Sequence, residues 1–432
     1  MAAVGAPRTT VGGTIRVPGD KSISHRALIL AALASGTSTV RGLQDGADVG
    51  ATRDALRAFG VAVEPAVDGV RVEGRPLRAA PGALDCMNSG TTTRLLAGVA
   101  AAQPFPTRFV GDASLSRRPM ARVADPLRRM GAEVSFDDPA ASRLPMTVRG
   151  GALKRLEFDS PTASAQVKSA ILLAGLLAGV EVLVREPAPS RDHTERMLAG
   201  RGADVYVADG AVWLPAGQQL APLDTAVPAD PSSAAFFVAL GALADAGALA
   251  LPDVCLNPTR TGFFYALHRM GAELSNDDQR TEGGEPLGTV EVEAGRPLRG
   301  ATVDAGEVPS MIDELPLLAC VAALAAGDTV VRGAAELRVK ESDRITAVVE
   351  NLRAVGADAD ELPDGFVVHG RGPRPLAGIV RTHGDHRLAM AFGVLGALAG
   401  NRVEVDDPAC VAVSYPTFWQ DLARATGQAA AA

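Results

Sequence analysis

One pattern recurs six times along the 432 residues: a polar, anion-friendly cluster placed just before an apolar, helix-like run. The clusters are Gly19-Asp20-Lys21-Ser22, Asn88-Ser89-Gly90-Thr91, Ser160-Pro161-Thr162, Asp230-Pro231-Ser232-Ser233, Glu307-Val308-Pro309-Ser310 and His383-Gly384-Asp385. Runs rich in Ala and Leu follow them, for example at 27–33, 95–101 and 170–177. A second helix signature in each repeat ends in a turn of one type. Met130-Gly131-Ala132-Glu133, Arg201-Gly202-Ala203-Asp204, Met270-Gly271-Ala272-Glu273 and Val355-Gly356-Ala357-Asp358 are near copies, Phe59-Gly60-Val61 is looser, and Ala425-Thr426-Gly427 is degenerate. A period of about 70 residues makes each repeat a supersecondary unit rather than a short solenoid motif. A helix start carries unpaired N–H groups and the positive end of a dipole, so several such starts turned toward one place would form an anion receptacle.

Short β-branched runs separate the two helix signatures of each repeat, and alternating segments follow each Gly-Ala turn, such as 61–64 with 70–73 and 134–136 with 146–149. Each repeat therefore reads as strand, helix, strand, helix and two strands, and six βαβαββ units predict an α/β protein. At 47% hydrophobic residues the chain has material for two cores. Proline-containing breaks at Pro18-Gly19 and Val227-Pro228 divide the repeats three and three. The predicted domains are 19–227 and, with the N-terminal strand 10–17 joining it, 1–18 plus 228–432. Two side-by-side crossings would make a two-strand hinge suited to opening and closing around a cleft.

Composition narrows the partners. A net charge of −8 and only 4% aromatic residues argue against nucleic acid. Cys86, Cys255, Cys320 and Cys410 are scattered without metal spacing, as expected of free thiols in a reducing compartment. The N-terminal residues lack a signal-peptide pattern, and the apolar stretch 170–180 stops at Glu181, short of the roughly 20 residues that span a bilayer. A soluble, cytoplasmic protein is expected, with no membrane partner. P-loop, G-x-G-x-x-G, G-x-S-x-G and H-E-x-x-H motifs are absent, and nothing calls for a metal or cofactor.

Three clusters invite chemistry. Residues 18–26 place Lys21, Ser22 and Arg26 at a helix start. In Lys340-Glu341-Ser342-Asp343-Arg344, Glu341 and Arg344 share a helix face. Gly384-Asp385-His386-Arg387 sets His and Arg in a first turn, against the usual preference for acids there, which suggests a ligand that supplies the missing negative charge. Arg94, Arg117-Arg118, Lys168 and Arg191 recur at equivalent points of the repeat. Asp313-Glu314 is the reverse case, two carboxylates opening an apolar run, and a candidate general base.

Residues 18–28, Asn88-Ser89-Gly90-Thr91, Arg118-Pro119-Met120, 337–344 and 384–387 together resemble the signatures of the 5-enolpyruvylshikimate-3-phosphate synthase family over essentially the whole chain. The resemblance implies two inside-out α/β barrel domains of three βαβαββ repeats each. It also implies transfer of a carboxyvinyl group from phosphoenolpyruvate to the 5-hydroxyl of shikimate 3-phosphate in aromatic amino-acid biosynthesis, by a monomer that needs only its small-molecule substrates and is a target of glyphosate. Both substrates carry phosphate and carboxylate, the natural ligands of guanidinium forks and helix starts. By the same resemblance Lys21, Ser22, Arg26, Ser164, Gln166, Arg191, Asp313 and Lys340 hold shikimate 3-phosphate. Lys21, Gly90, Arg118, Gln166, Arg344 and Arg387 hold phosphoenolpyruvate. Asp313 takes the hydroxyl proton, Glu341 exchanges a proton with the methylene carbon, and Lys21 and His386 assist.

Val413 and Glu336 stand where one branch of the family has Lys and Asn, which is similar to the second bacterial branch. Two alternatives share the fold: an enolpyruvyl transferase acting on UDP-N-acetylglucosamine, and a non-catalytic anion binder. The first uses a loop cysteine where this chain has Ala113, and Lys-Asn where it has Lys21-Ser22. The second gains nothing from Asp313 and Glu341.

Overall fold

The computed structural model describes residues 8–427. It contains twelve α-helices among those residues: α1 (Lys21–Leu33), α2 (Ala47–Ala58), α3 (Gly90–Ala101), α4 (Ala121–Met130), α5 (Ala165–Ala178), α6 (His193–Ala199), α7 (Pro231–Leu243), α8 (Gly262–Arg269), α9 (Leu315–Ala322), α10 (Arg344–Ala354), α11 (His386–Ala397) and α12 (Phe418–Thr426). Five four-stranded sheets and one two-stranded sheet accompany them. The fold class is mixed α/β.

The four-stranded sheets share one topology. In the second repeat Leu84–Asp85 runs parallel to Thr107–Val110, which is antiparallel to Met146–Arg149, and Glu133–Phe136 takes the edge beside Met146–Arg149. Two sheets borrow their first strand from a distant part of the chain. Thr225–Ala226 lies parallel to Gly36–Arg41, and Thr10–Thr14 lies parallel to Ala246–Cys255. The sixth repeat departs from the expected pattern, because Ala377–Val380 and Arg402–Val405 form a two-stranded sheet followed by α12.

Local chemistry explains both helix signatures. Side chains of Asp20, Ser89, Ser164, Asp230, Asp343 and Asp385 accept a backbone N–H at the starts of α1, α3, α5, α7, α10 and α11. Two expected starts are displaced. Ser160-Pro161-Thr162 is a turn, with the Ser160 hydroxyl donating to the Thr162 carbonyl, and Ser164 is the cap. Residues 308–310 form a single 3-10 turn, and α9 begins only at Leu315. The Gly-Ala turns are left-handed helix stops: Gly60, Gly131, Gly202, Gly271 and Gly356 all have positive φ. In each, the next residue's N–H reaches back to the carbonyl five residues earlier, as from Ala132 to Leu127 and Ala357 to Leu352.

The chain forms two compact units. One is Gly19–Pro228 with Thr281–Glu285, and the other comprises Met1–Pro18, Ala229–Arg280 and Pro286–Ala432. The short excursion 281–285, the turn of a hairpin whose strands belong to the second unit, has no counterpart in the sequence reading. In the first unit α1, α3 and α5 are buried along nearly their whole length. α3 and α5 approach closely because Gly98 faces the Ala170 backbone, where a Cβ would sit 2.2 Å from its carbonyl oxygen. α7, α9 and α11 are the equally buried helices of the second unit.

Candidate active site

The first unit gathers its polar residues at the starts of α1, α3, α5 and α6. Arg26 is buried with each guanidinium nitrogen making one bond: Nε donates to Thr194 Oγ1 at 2.7 Å, Nη2 to Ser169 Oγ at 2.9 Å and Nη1 to the Ser22 carbonyl at 3.0 Å. Burial pulls its pKa down to about 10, against the opposing pull of Glu195 and Asp20. Lys21, at the first position of α1, pairs with the buried Asp48. His25 packs beneath, its Nδ1 2.7 Å from Thr52 Oγ1, and burial followed by the charge of Lys21 lowers its pKa to about 3.

The close approach of α3 and α5 joins their first turns. Gln166 donates to Thr91 Oγ1 at 2.9 Å and accepts from Arg94 Nη1 at 2.6 Å, while Arg94 Nη2 reaches the Pro119 carbonyl at 3.3 Å. Arg118 is oriented separately, by Asn88 Oδ1 at 2.7 Å and Ser114 Oγ at 3.4 Å. A Cβ on Gly90 would point at Arg94 Nη1, 2.6 Å away, and lie 3.6 Å from Arg118 Nη1. Ser164 caps α5 and its N–H donates to Glu186 at 2.8 Å. Arg191 sits two residues ahead of α6.

Lys168 stands apart from these cations. It is buried between Glu186 at 2.7 Å and Glu195 at 2.8 Å. Burial works against its charge, yet the two carboxylates outweigh it and raise its pKa. These partners lie on other elements, and nothing near Lys168 in the sequence announces them.

The second unit centres on Arg344, the first residue of α10, whose side chain is 1% exposed. Its Nε donates to Asp385 Oδ2 at 2.8 Å, Nη2 to Glu341 Oε2 at 2.7 Å and Nη1 to Asp313 Oδ1 at 3.3 Å. Burial opposes its charge, and Asp385 followed by Glu341 more than restores it, so its pKa lies above the ordinary guanidinium value. Asp385 is fully buried and also caps α11, accepting from the Arg387 N–H at 3.0 Å and from Ser342 Oγ at 3.0 Å. Burial would raise its pKa, but the Arg344 charge prevails and lowers it.

Asp313 has three cations around it: Arg344 at 3.3 Å, Lys340 at 3.6 Å and Arg387 at 3.8 Å. His386 heads α11 beside its cap and is buried. The expected set Asp313, Lys340, Glu341, Arg344, His386 and Arg387 is thus held at the starts of α9, α10 and α11. One network went unanticipated. Glu314 accepts from Ser232, whose Oγ also receives Arg260 Nη2 at 2.7 Å, and Arg260 reaches Asp230 at 3.0 Å, so the cluster 230–233 is consumed internally. No group of His, Cys, Asp and Glu able to hold a metal occurs among the described residues, and no helix there is long and apolar enough to cross a membrane.

In each unit guanidinium groups stand at helix starts with carboxylates positioned among them, an arrangement chemically suited to small anions and to proton exchange. The fold is similar to that of the enolpyruvyl transferase NikO from Streptomyces tendae, which aligns over 97% of this chain and 96% of its own at a TM-score of 0.76, a likeness of fold alone at 20% identity. The chain belongs to the EPSP synthase (3-phosphoshikimate 1-carboxyvinyltransferase) family, whose profile matches residues 6–422. The 3-phosphoshikimate 1-carboxyvinyltransferase of Xanthomonas campestris pv. campestris (strain B100) is 49% identical over 426 residues, 97% of this chain and 95% of the relative. The EPSP synthase of Acinetobacter baumannii superposes with a TM-score of 0.87 at 42% identity, covering 98% of this chain and 97% of that one.

Proposed function

We propose that this protein transfers the carboxyvinyl group of phosphoenolpyruvate to the 5-hydroxyl of shikimate 3-phosphate and releases phosphate, in aromatic amino-acid biosynthesis. The observation that carries the reading is one guanidinium holding two acid–base candidates: Arg344 binds Asp313 at 3.3 Å and Glu341 at 2.7 Å. Addition to an enol phosphate and elimination of phosphate require a proton acceptor and a proton donor beside the cations, and Asp313 and Glu341 are the groups placed to supply them.

In this reading Asp313 accepts the hydroxyl proton as the oxygen attacks C2, and Glu341 delivers a proton to C3, turning the methylene into a methyl group. Glu341 then takes a proton back as the C2–O bond to phosphate breaks and the double bond re-forms. Lys21 and His386 assist by balancing charge and passing protons. Lys21, Ser22, Arg26, Ser164, Gln166, Arg191, Asp313 and Lys340 hold shikimate 3-phosphate, while Lys21, Gly90, Arg118, Gln166, Arg344 and Arg387 hold phosphoenolpyruvate. Because Arg344 and Arg387 have carboxylate partners here, binding exchanges one anionic partner for another. Each unit is read as an inside-out barrel with its apolar helices at the centre, a view supported by the burial of α1, α3 and α5 in one and α7, α9 and α11 in the other. The test is phosphate release: it should require both substrates together and should not occur with UDP-N-acetylglucosamine in place of shikimate 3-phosphate. Release from phosphoenolpyruvate alone, or equal release with the nucleotide sugar, would overturn the assignment.

A further inference from the structure

The excursion 281–285 does more than turn a hairpin. Strands Glu273–Glu282 and Glu285–Glu293 belong to the sheet containing Thr10–Thr14 and Ala246–Cys255, yet the turn joining them is part of the first unit. Its shape is fitted to α6. Gly283 and Gly284 have φ of 59° and 92°, and a Cβ on Gly284 would lie 2.4 Å from the Arg196 carbonyl oxygen, so only glycine permits this approach. A Cβ on Gly200, just past the end of α6, would in turn lie 3.0 Å from the Gly283 oxygen. Two carboxylates flank the glycines: the partly buried Glu282 accepts the Ala226 N–H at 2.7 Å, and Glu285 lies 2.8 Å from His193 Nδ1, the side chains of Glu285 and His193 being almost wholly buried.

His193 is the first residue of α6, and the residues on either side of it serve the anion site. Arg191 is two positions before. Thr194 is one position after, and its hydroxyl accepts Arg26 Nε at 2.7 Å and lies 2.6 Å from Ser169 Oγ, the acceptor of Arg26 Nη2. Glu195, next in line, pairs with Lys168. The start of α6 is therefore clamped on one side by the turn and spends its other side fixing Arg26. The Glu285 charge reaches Arg26 as well, raising its pKa against the downward pull of burial. Arg118 stands apart from this chain of contacts, since Asn88 and Ser114 orient it.

We infer that Glu285 is a positioning residue for shikimate 3-phosphate: through His193 it sets the start of α6, and with it Arg26 and Arg191, without serving phosphoenolpyruvate. The inference rests on the assignment of Arg26 and Arg191 above. Its test is steady-state kinetics of Glu285→Ala and Glu285→Gln beside Arg191→Ala, with thermal melts of each. Glu285→Ala should raise the KM for shikimate 3-phosphate roughly tenfold, the scale of a lost charge-assisted hydrogen bond. Its KM for phosphoenolpyruvate should stay within about twofold, and Glu285→Gln, which keeps an acceptor for His193, should recover most of the loss. If Glu285→Ala does not fold, Glu285→Asp, too short to reach the imidazole, replaces it with the same expectation. An unchanged KM for shikimate 3-phosphate, or an equal rise for both substrates, overturns the inference when Arg191→Ala does impair shikimate 3-phosphate binding. If Arg191→Ala leaves that binding intact, the underlying site assignment has failed instead.

Discussion

Adding a single methyl group at Gly90 should test how the first unit's anion-facing residues are coupled. The Cβ of Gly90→Ala would lie 2.6 Å from Arg94 Nη1. To reach an ordinary contact of about 3.5 Å the guanidinium must retreat by about 0.9 Å. It has little freedom, being almost fully buried with Nη2 on the Pro119 carbonyl. The same Nη1 donates to Gln166 at 2.6 Å, and a retreat of that size along the bond would take it to about 3.5 Å, beyond hydrogen-bond range. Overpacking of this kind costs about 1–3 kcal/mol, or roughly 5- to 150-fold in an equilibrium constant. Taking glyphosate to occupy the subsite proposed for phosphoenolpyruvate, it is the longer ligand and has less room to shift, so its affinity should fall further. The ratio of glyphosate Ki to phosphoenolpyruvate KM, measured in both proteins, should therefore rise, by about fivefold for each 1 kcal/mol by which the two losses differ. The route through Arg94 is checked by repeating the substitution in an Arg94→Lys background, where the shorter contact should relieve the clash and give a coupling above about 0.5 kcal/mol. An unchanged or lower ratio, or a coupling near zero, would refute the reasoning.

Glu341→Gln should fold and bind shikimate 3-phosphate in a calorimeter while losing roughly 10²- to 10⁴-fold in kcat, the scale of a removed acid–base group; near-normal turnover would deny it the role. Asp385→Asn should cost about 3 kcal/mol in a urea melt at pH 7, the lower end for breaking a buried ion pair because Arg344 keeps Glu341 and Asp313. The Asp385 pKa is lowered on folding, so its contribution is complete above the unfolded value of 3.8 and lost below it; the gap between wild type and variant should hold from pH 7 to 5 and narrow only in stronger acid. His25, lowered to about 3 from 6.5, binds its proton more readily when unfolded, so its contribution is complete above pH 6.5 and lost as pH falls toward 3. Between pH 7 and 5 the wild type should lose about 2 kcal/mol that His25→Asn does not, and parallel stability curves would contradict the buried neutral imidazole.

The parts of this fold legible in the sequence are those governed by local forces. A left-handed glycine after a helix and an Asp or Ser one residue before it act within a single turn, so Gly131, Gly202 and Gly271, like Asp20 and Ser89, declare themselves. Where two nearby residues compete for the same task the local signal misplaces the element. Ser160 and Ser164 both suit a helix start, and only tertiary packing selects the second. The docking of 281–285 on α6 was illegible for a stronger reason, because the Glu285–His193 contact joins side chains 92 residues apart and the close backbone approach beside it leaves only glycines as its trace.

The candidate site divides along the same line, cations legible and counterions not. Lys21, Arg344, Arg387 and Lys168 stand out because positive side chains at helix starts oppose the dipole. Their partners Asp48, Asp385, Asp313, Glu186 and Glu195 come from other helices or loops, and Asp385 reads locally as no more than a cap. Burying so many cations without them would cost several kcal/mol for each charge. Carboxylates are therefore a condition for assembling the receptor at all, and the two assigned to proton transfer, Asp313 and Glu341, are drawn from that set. Their placement by Arg344 unites the two demands: the contacts that make the cations stable in the folded chain also fix the groups that can exchange protons with a bound substrate.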